Sequence, residues 1–174
     1  MTAARSHVDP TDLDAVRAAV GLDRPGSGLQ PIGMDRIVVG ADALNGLAAL
    51  VAEVRGPGPI AVVVDLQPMR RAGADLKSGV VELLRAVEPD VRLVALGRAD
   101  EELHADAGAI EAAVAGARGS GVVVAVGSGT ICDIAKEASR KLGVPEVVVQ
   151  TANSVNAFSD DMAVLLIHGV KRTV

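Results

Sequence analysis

Five short runs rich in β-branched residues, separated by segments whose apolar residues recur at helical spacing, limit this chain to very few folds. The runs are residues 36–40, 60–64, 91–96, 122–126 and 146–150. Stretches such as Val122-Val123-Val124-Ala125-Val126 show no polar alternation, so both faces of such a strand must be covered, as in a parallel sheet between helices. Helix faces are marked by Leu44, Leu47, Val51 and Val54, by Val80, Leu83, Leu84 and Val87, by Leu103, Ala107, Ile110 and Val114, and by Ile134, Ala138 and Leu142. Alternating strands and helices with short turns predict an α/β, doubly wound, mostly parallel Rossmann-like sheet and exclude a bundle or a sandwich. Hydrophobic residues make up 49% of the 174, yet only Phe158 is aromatic, so the core must be built from Val, Leu, Ile and Ala.

The ends of the chain depart from this rhythm. Thr11 is placed to cap a helix over residues 12–20 that Gly21 ends, and Pro25, Gly26, Gly28 and Pro31 then read as loop. Residues 1–36 are thus expected to form an N-terminal helix and loop ahead of a dinucleotide-binding domain over 37–174. Beyond Gln150 comes a polar loop, Thr151-Ala152-Asn153-Ser154. Residues 162–167 and 170–174 flank His168-Gly169 and predict a C-terminal β-hairpin.

Net charge is −5 and no basic run exceeds two residues, which argues against a nucleic-acid surface. A single cysteine, Cys132, precludes an intrachain disulfide and suits a reducing compartment. The first ten residues contain no apolar stretch of a signal peptide, and the longest apolar runs are too short for a bilayer. The expectation is a cytoplasmic protein with neither nucleic acid nor membrane as partner.

Chemistry concentrates at Gly127-Ser128-Gly129-Thr130-Ile131-Cys132-Asp133-Ile134-Ala135-Lys136. It reads as strand, glycine turn and helix N-terminus, a place where free backbone N–H groups and the helix dipole suit a phosphate or pyrophosphate. Such a turn also occurs as a plain tight connection. Asp65, at the carboxyl end of the 60–64 strand, is suited to ribose hydroxyls and would repel a 2′-phosphate; its plainer role is to cap the turn at residues 67–69. Asp133 reads as an acid complementing the helix dipole, Lys136 as a surface lysine, and Cys132 as a packed small residue. His7, His104 and His168 share no metal-ligand spacing, and His104 reads as a solvated or capping residue at a helix start.

The 127–136 motif resembles the Gly-Gly-Gly-Ser/Thr-x-x-Asp-x-x-Lys signature of the iron-containing alcohol dehydrogenase and glycerol dehydrogenase superfamily. Thr151-Ala152-Asn153-Ser154 resembles its Thr-Ala-x-Ser loop, and the hairpin at His168-Gly169-Val170-Lys171-Arg172 that of its glycerol-1-phosphate dehydrogenase-like branch. The resemblance runs over 37–174. It implies the nucleotide-binding half of a metal- and NAD(P)-dependent dehydrogenase of a small polyol or polyol phosphate. By position, the resemblance assigns Asp65 to the adenosine ribose, favouring NAD over NADP. It assigns Gly127, Ser128, Gly129 and Thr130 to the pyrophosphate, and Thr151 and Ser154 to the nicotinamide half. Asn156 and Asp160 stand where that branch has a substrate-contacting Asp and a nicotinamide-side Ser, and both are departures from it. The family's metal ligands lie in a helical second domain without counterpart here, so zinc, iron(II) or nickel is expected only with that domain. The uncovered apolar hairpin leads to the expectation of a homo-oligomer. Two other readings stand beside this one: a non-catalytic nucleotide-binding or assembly module, and an NAD-using cyclase like dehydroquinate synthase. The cyclase motif has Gly-Phe where this chain has Ala135-Lys136.

Overall fold

Four of the five β-branched runs become strands of one parallel sheet. The computed structural model describes residues 8–22, 24–26, 28, 33–98, 100–154, 156–159 and 162–174. After helix α1 (Leu13–Val20), a single 3-10 turn (Ala43–Gly46) leads into α2 (Leu47–Val54) and strand β1 (Ile60–Asp65). A two-residue ladder of β2 (Arg70–Arg71) with β3 (Ala74–Asp75) precedes α3 (Leu76–Arg85). Then follow β4 (Val91–Leu96), α4 (Ala107–Gly116), β5 (Val122–Gly127), α5 (Gly129–Leu142) and β6 (Glu146–Gln150). The expected hairpin closes the chain as β7 (Val164–Ile167) and β8 (Val170–Thr173), turned by His168 and Gly169 at φ of 51° and 78°.

The sheet order is β4-β1-β5-β6 with every neighbour parallel, Ile60 standing opposite both Val91 and Val122. Strand alternation divides the core in two. Ile60, Val62 and Val64 face Leu47 and Val51 of α2 and Val80 and Leu84 of α3. Ala61 and Val63 face Ile110 and Ala113 of α4 and Ile131, Ile134 and Ala138 of α5. All five residues 60–64 are 0–1% exposed, each valine or isoleucine contributing about 1.5–3 kcal/mol by burial. Alanines on the α4–α5 side keep those helices close. A Cβ added to Gly116 would sit 2.7 Å from Val94 Cγ1.

The strand expected at residues 36–40 does not form. The segment has no regular secondary structure and pairs with no described strand, leaving Val38 and Val39 exposed. β-Branched residues favour an extended backbone but cannot supply a ladder partner. Here Arg36 instead lies on α2, both terminal guanidinium nitrogens donating to Glu53 at 2.8 Å. The cap of α1 is Asp12, not Thr11: Asp12 Oδ1 accepts from Ala15 N, while the Thr11 hydroxyl donates to Asp9. Gly21 does end the helix, at φ 71°. His104 lies ahead of α4 and is exposed; Asp106 caps that helix by accepting from Ala109 N.

At the amino ends of the strands two glycine turns press backbone on backbone. Gly56 N donates to Gly121 O and Gly121 N to Pro59 O, each at 2.9 Å. A side chain on Gly121 would run into the Gly56 main chain, and one on Gly58 into the Gly119 carbonyl.

Candidate nucleotide site at the carboxyl ends of the strands

From β1 the chain steps to β4 on one side of the sheet and then returns to place β5 and β6 on the other. The reversal lies between β1 and β5, where loops leave toward opposite faces and open a crevice suited to a ligand. Asp65 ends β1 on one side of that crevice. Ser128 and Thr130 follow β5 on the other. Together with Gln67, Gly97, Arg98 and Leu103 they line a cleft of about 190 Å³.

The cleft ends on the N-terminus of α5. Helices α1, α3 and α4 each begin with an aspartate whose carboxylate accepts a backbone N–H of the first turn. Ser128 holds the corresponding position of α5 in extended conformation but makes no capping bond. Its carbonyl accepts from Cys132 N at 3.0 Å. The N–H groups of Gly129, Thr130 and Ile131 have no partner among the described residues, so they remain available to an anion. Gly127 has a packing reason for lacking a side chain, since a Cβ there would fall 2.5 Å from Ile131 Cβ. Its carbonyl accepts from Thr151 N at 3.1 Å, which ties the loop after β6 to the glycine turn.

Asp65 is both a turn residue and more. Its Oδ1 accepts from Gln67 N at 3.1 Å, as the capping role requires. The same oxygen lies 2.5 Å from Nζ of Lys77, a buried residue in the first turn of α3. Sequence reasoning missed Lys77. The available signal was a cation in a first helical turn, where the dipole disfavours it unless an acid is near.

Of the remaining candidates, Asn156 lines a second cavity of about 220 Å³, which touches α5 at Asp133, in the helix's second turn. It is lined by Asp133, Asn156, Ala157, Met162, Val164 and Thr173. Asn156 is exposed at its rim, Thr151 is half-buried beside the glycine turn, and Ser154 is exposed and lines neither cavity. Asp160, like His7, falls outside the described residues. The structure therefore gathers Asp65, Ser128 and Thr130 in one cleft, and sets Thr151, Ser154 and Asn156 on the neighbouring loop.

Lys136 is not a surface lysine. It is 6% exposed, and its ammonium donates to the carbonyls of Ala157 and Met162 at 2.8 and 2.6 Å, fastening the loop ahead of β7 to α5. Asp133 is buried as well. Cys132 is fully buried and desolvation pushes its thiol up to about 12, which makes it packing rather than a nucleophile. Glu146, at the start of β6, is pushed up to about 7, chiefly by burial. Among the described residues no group of three or more His, Cys, Asp and Glu could hold a metal ion, and no helix is long and apolar enough to cross a membrane.

Residues 38–174 match the sequence profile of the iron-containing alcohol dehydrogenases. A glycerol-1-phosphate dehydrogenase, NAD(P)+, of Bacillus velezensis is 27% identical over 157 residues, 88% of this chain and 38% of that protein. The protein of the same name from Geobacillus thermodenitrificans is 33% identical over 146 residues, 82% of this chain and 35% of its own length. The chain thus spans little more than a third of these relatives. Among solved structures, a probable glycerol dehydrogenase from Sinorhizobium meliloti superposes with a TM-score of 0.58 at 25% identity, covering 77% of this chain and 34% of that one. A maleylacetate reductase from Agrobacterium tumefaciens shares the fold, with a TM-score of 0.61 at 18% identity over 84% of this chain and 40% of its own. The profile spans most of the chain and takes in both the glycine turn and the closing hairpin, so this chain belongs to the iron-containing alcohol dehydrogenase family.

Proposed function

We propose that the chain is the nucleotide-binding part of an NAD(P)-dependent dehydrogenase acting on a small polyol or polyol phosphate, like glycerol 1-phosphate dehydrogenase. The observation that carries this is the meeting of Asp65 with the uncapped α5 N-terminus across the reversal point of a parallel sheet. A dinucleotide fits that arrangement. The free N–H groups of Gly129, Thr130 and Ile131 would hold the pyrophosphate. Oδ2 of Asp65, which has no partner among the described residues, would accept from a ribose hydroxyl, so NAD is favoured over NADP.

When bound, the nicotinamide supplies hydride transfer, and this chain's residues hold and orient it. Thr151 and Ser154 stand on the loop assigned to the nicotinamide half, and Asn156 follows on the same loop at the position assigned to substrate; Asp160 keeps its assignment by sequence alone. Lys136 fixes that loop through two carbonyls. The described residues offer no donor set for zinc, iron(II) or nickel. In the cell we expect a cytoplasmic homo-oligomer, with residues 37–174 as the nucleotide-binding unit.

Calorimetric titration of the chain with NADH tests this reading. Binding in the micromolar range, abolished in Gly129→Val while the melting transition survives, is the expected result. A wild-type chain that binds no nucleotide, or a Gly129→Val variant that binds normally, would refute it.

A further inference from the structure

Asp65 does not meet the cleft as a lone carboxylate. Lys77 Nζ donates to its Oδ1 at 2.5 Å and to the carbonyls of Asp65 and Gln67 at 2.6 Å each. Three acceptors satisfy the three donors of the ammonium, and the two side chains are only 10% and 15% exposed. Lys77 lies in the first turn of α3, where a cation opposes the helix dipole, so helix stability alone would not favour it there.

The pair treats two nucleotides differently. Toward a ribose hydroxyl, Oδ2 remains a full acceptor. Toward a 2′-phosphate, the repulsion of the carboxylate is offset by the ammonium bonded behind it. On the same cleft stands Arg98, largely exposed and held only at 3.8 Å by Glu101, a second cation on the path of a phosphate.

We infer that Lys77 is a specificity-determining residue: its ammonium sets how strongly Asp65 discriminates between NAD(H) and NADP(H), leaving NAD favoured but NADP admitted. This rests on reading the cleft as the adenosine site. Gln67 N still holds Oδ1 when Lys77 is neutralised, so loss of the charge does not by itself release the carboxylate.

The test is calorimetric titration of the full chain with NADH and with NADPH at fixed salt, with melting curves for every variant. Wild type is expected to bind NADH more tightly, by less than about tenfold, and Lys77→Gln to widen that ratio about tenfold through weaker NADPH binding. A merely structural clamp would lower both affinities alike, and an unmoved ratio overturns the inference. Asp65→Asn keeps Lys77 and reads the same charge independently should Lys77→Gln not fold. With the cation unopposed, NADPH should bind more tightly than NADH, and a ratio that only returns to one overturns the inference. A wild-type chain that binds neither nucleotide defeats the reading of the cleft itself, whereas binding with an unmoved ratio defeats only the role of Lys77.

Discussion

Replacing Glu146 with Gln should stabilise the protein at neutral and alkaline pH. Glu146 begins β6, half-buried, with Oε1 enclosed and without a hydrogen-bond partner. Burial raises its pKa most; Lys136 and Arg140 of α5 act against the rise and Asp133 adds to it, for a value of about 7 against an ordinary 4.5. A carboxyl with a raised folded pKa contributes stability that is complete below pH 4.5 and is lost as pH climbs through 7. The difference of about 2.5 units amounts to about 3 kcal/mol, of which about 1 kcal/mol disappears between pH 6 and 8. Glutamine has the same shape and no proton to lose. Urea unfolding of both proteins at pH 4.5, 6 and 8 is the assay. The variant should match wild type at the lowest pH and exceed it by up to about 3 kcal/mol at the highest. Subtracting the two curves removes every other titrating group, the histidines included. Parallel curves, or a variant less stable at pH 8, would show that the Glu146 carboxylate escapes to water and that the reasoning is wrong.

Asp65→Gly should reverse the preference toward NADPH, read by the same titrations, since it removes the group that rejects a 2′-phosphate and leaves the Lys77 ammonium, still held by two carbonyls, unopposed. Gly127→Ala should cost about 1–3 kcal/mol in urea unfolding, because the new methyl overlaps Ile131 and the helix must shift. Asp75→Ala removes the oxygen that accepts from Ser78 N at 2.7 Å and should cost about 1 kcal/mol. The 174-residue chain assayed alone with glycerol 1-phosphate, NAD and added zinc or iron should show no turnover. Metal-dependent formation of NADH by a preparation of verified mass would contradict this.

The strands 60–64 and 122–126 were legible because an uninterrupted apolar run rich in β-branched residues suits an extended, doubly covered segment, and both are buried throughout; β4, at the sheet edge, instead leaves Arg92, Leu93 and Ala95 exposed. Residues 36–40 have the same local preference, but a strand also needs a neighbour, and nothing local says whether one is there. Asp65 and the glycine turn could be read from their place at strand ends. Lys77 and Lys136 could not. Each is a long side chain whose partner lies far along the sequence, 12 residues for Asp65 and 26 for Met162, so its burial is decided by tertiary packing. The helix caps show the same limit on a smaller scale: Thr11 and Asp12 are both good caps, and only the backbone geometry chooses.

The interlocked turns at residues 56–58 and 119–121 give the molecule an uneven capacity for change. No side chain fits at Gly121 or Gly58, and the intervening amides are already bonded to each other, so insertion, permutation or drift at that end would unseat β1 and β5 together. At the opposite end, the described residues of the turn after β4 show no backbone-on-backbone contact of this kind. A lineage could rewrite that turn freely while the locked end kept the strands in register. Random libraries grown under selection for folding alone should therefore return substitutions crowded at the carboxyl end and almost none at the glycine lock. New specificities in a scaffold like this one would arise by editing one end of a sheet whose other end is immutable.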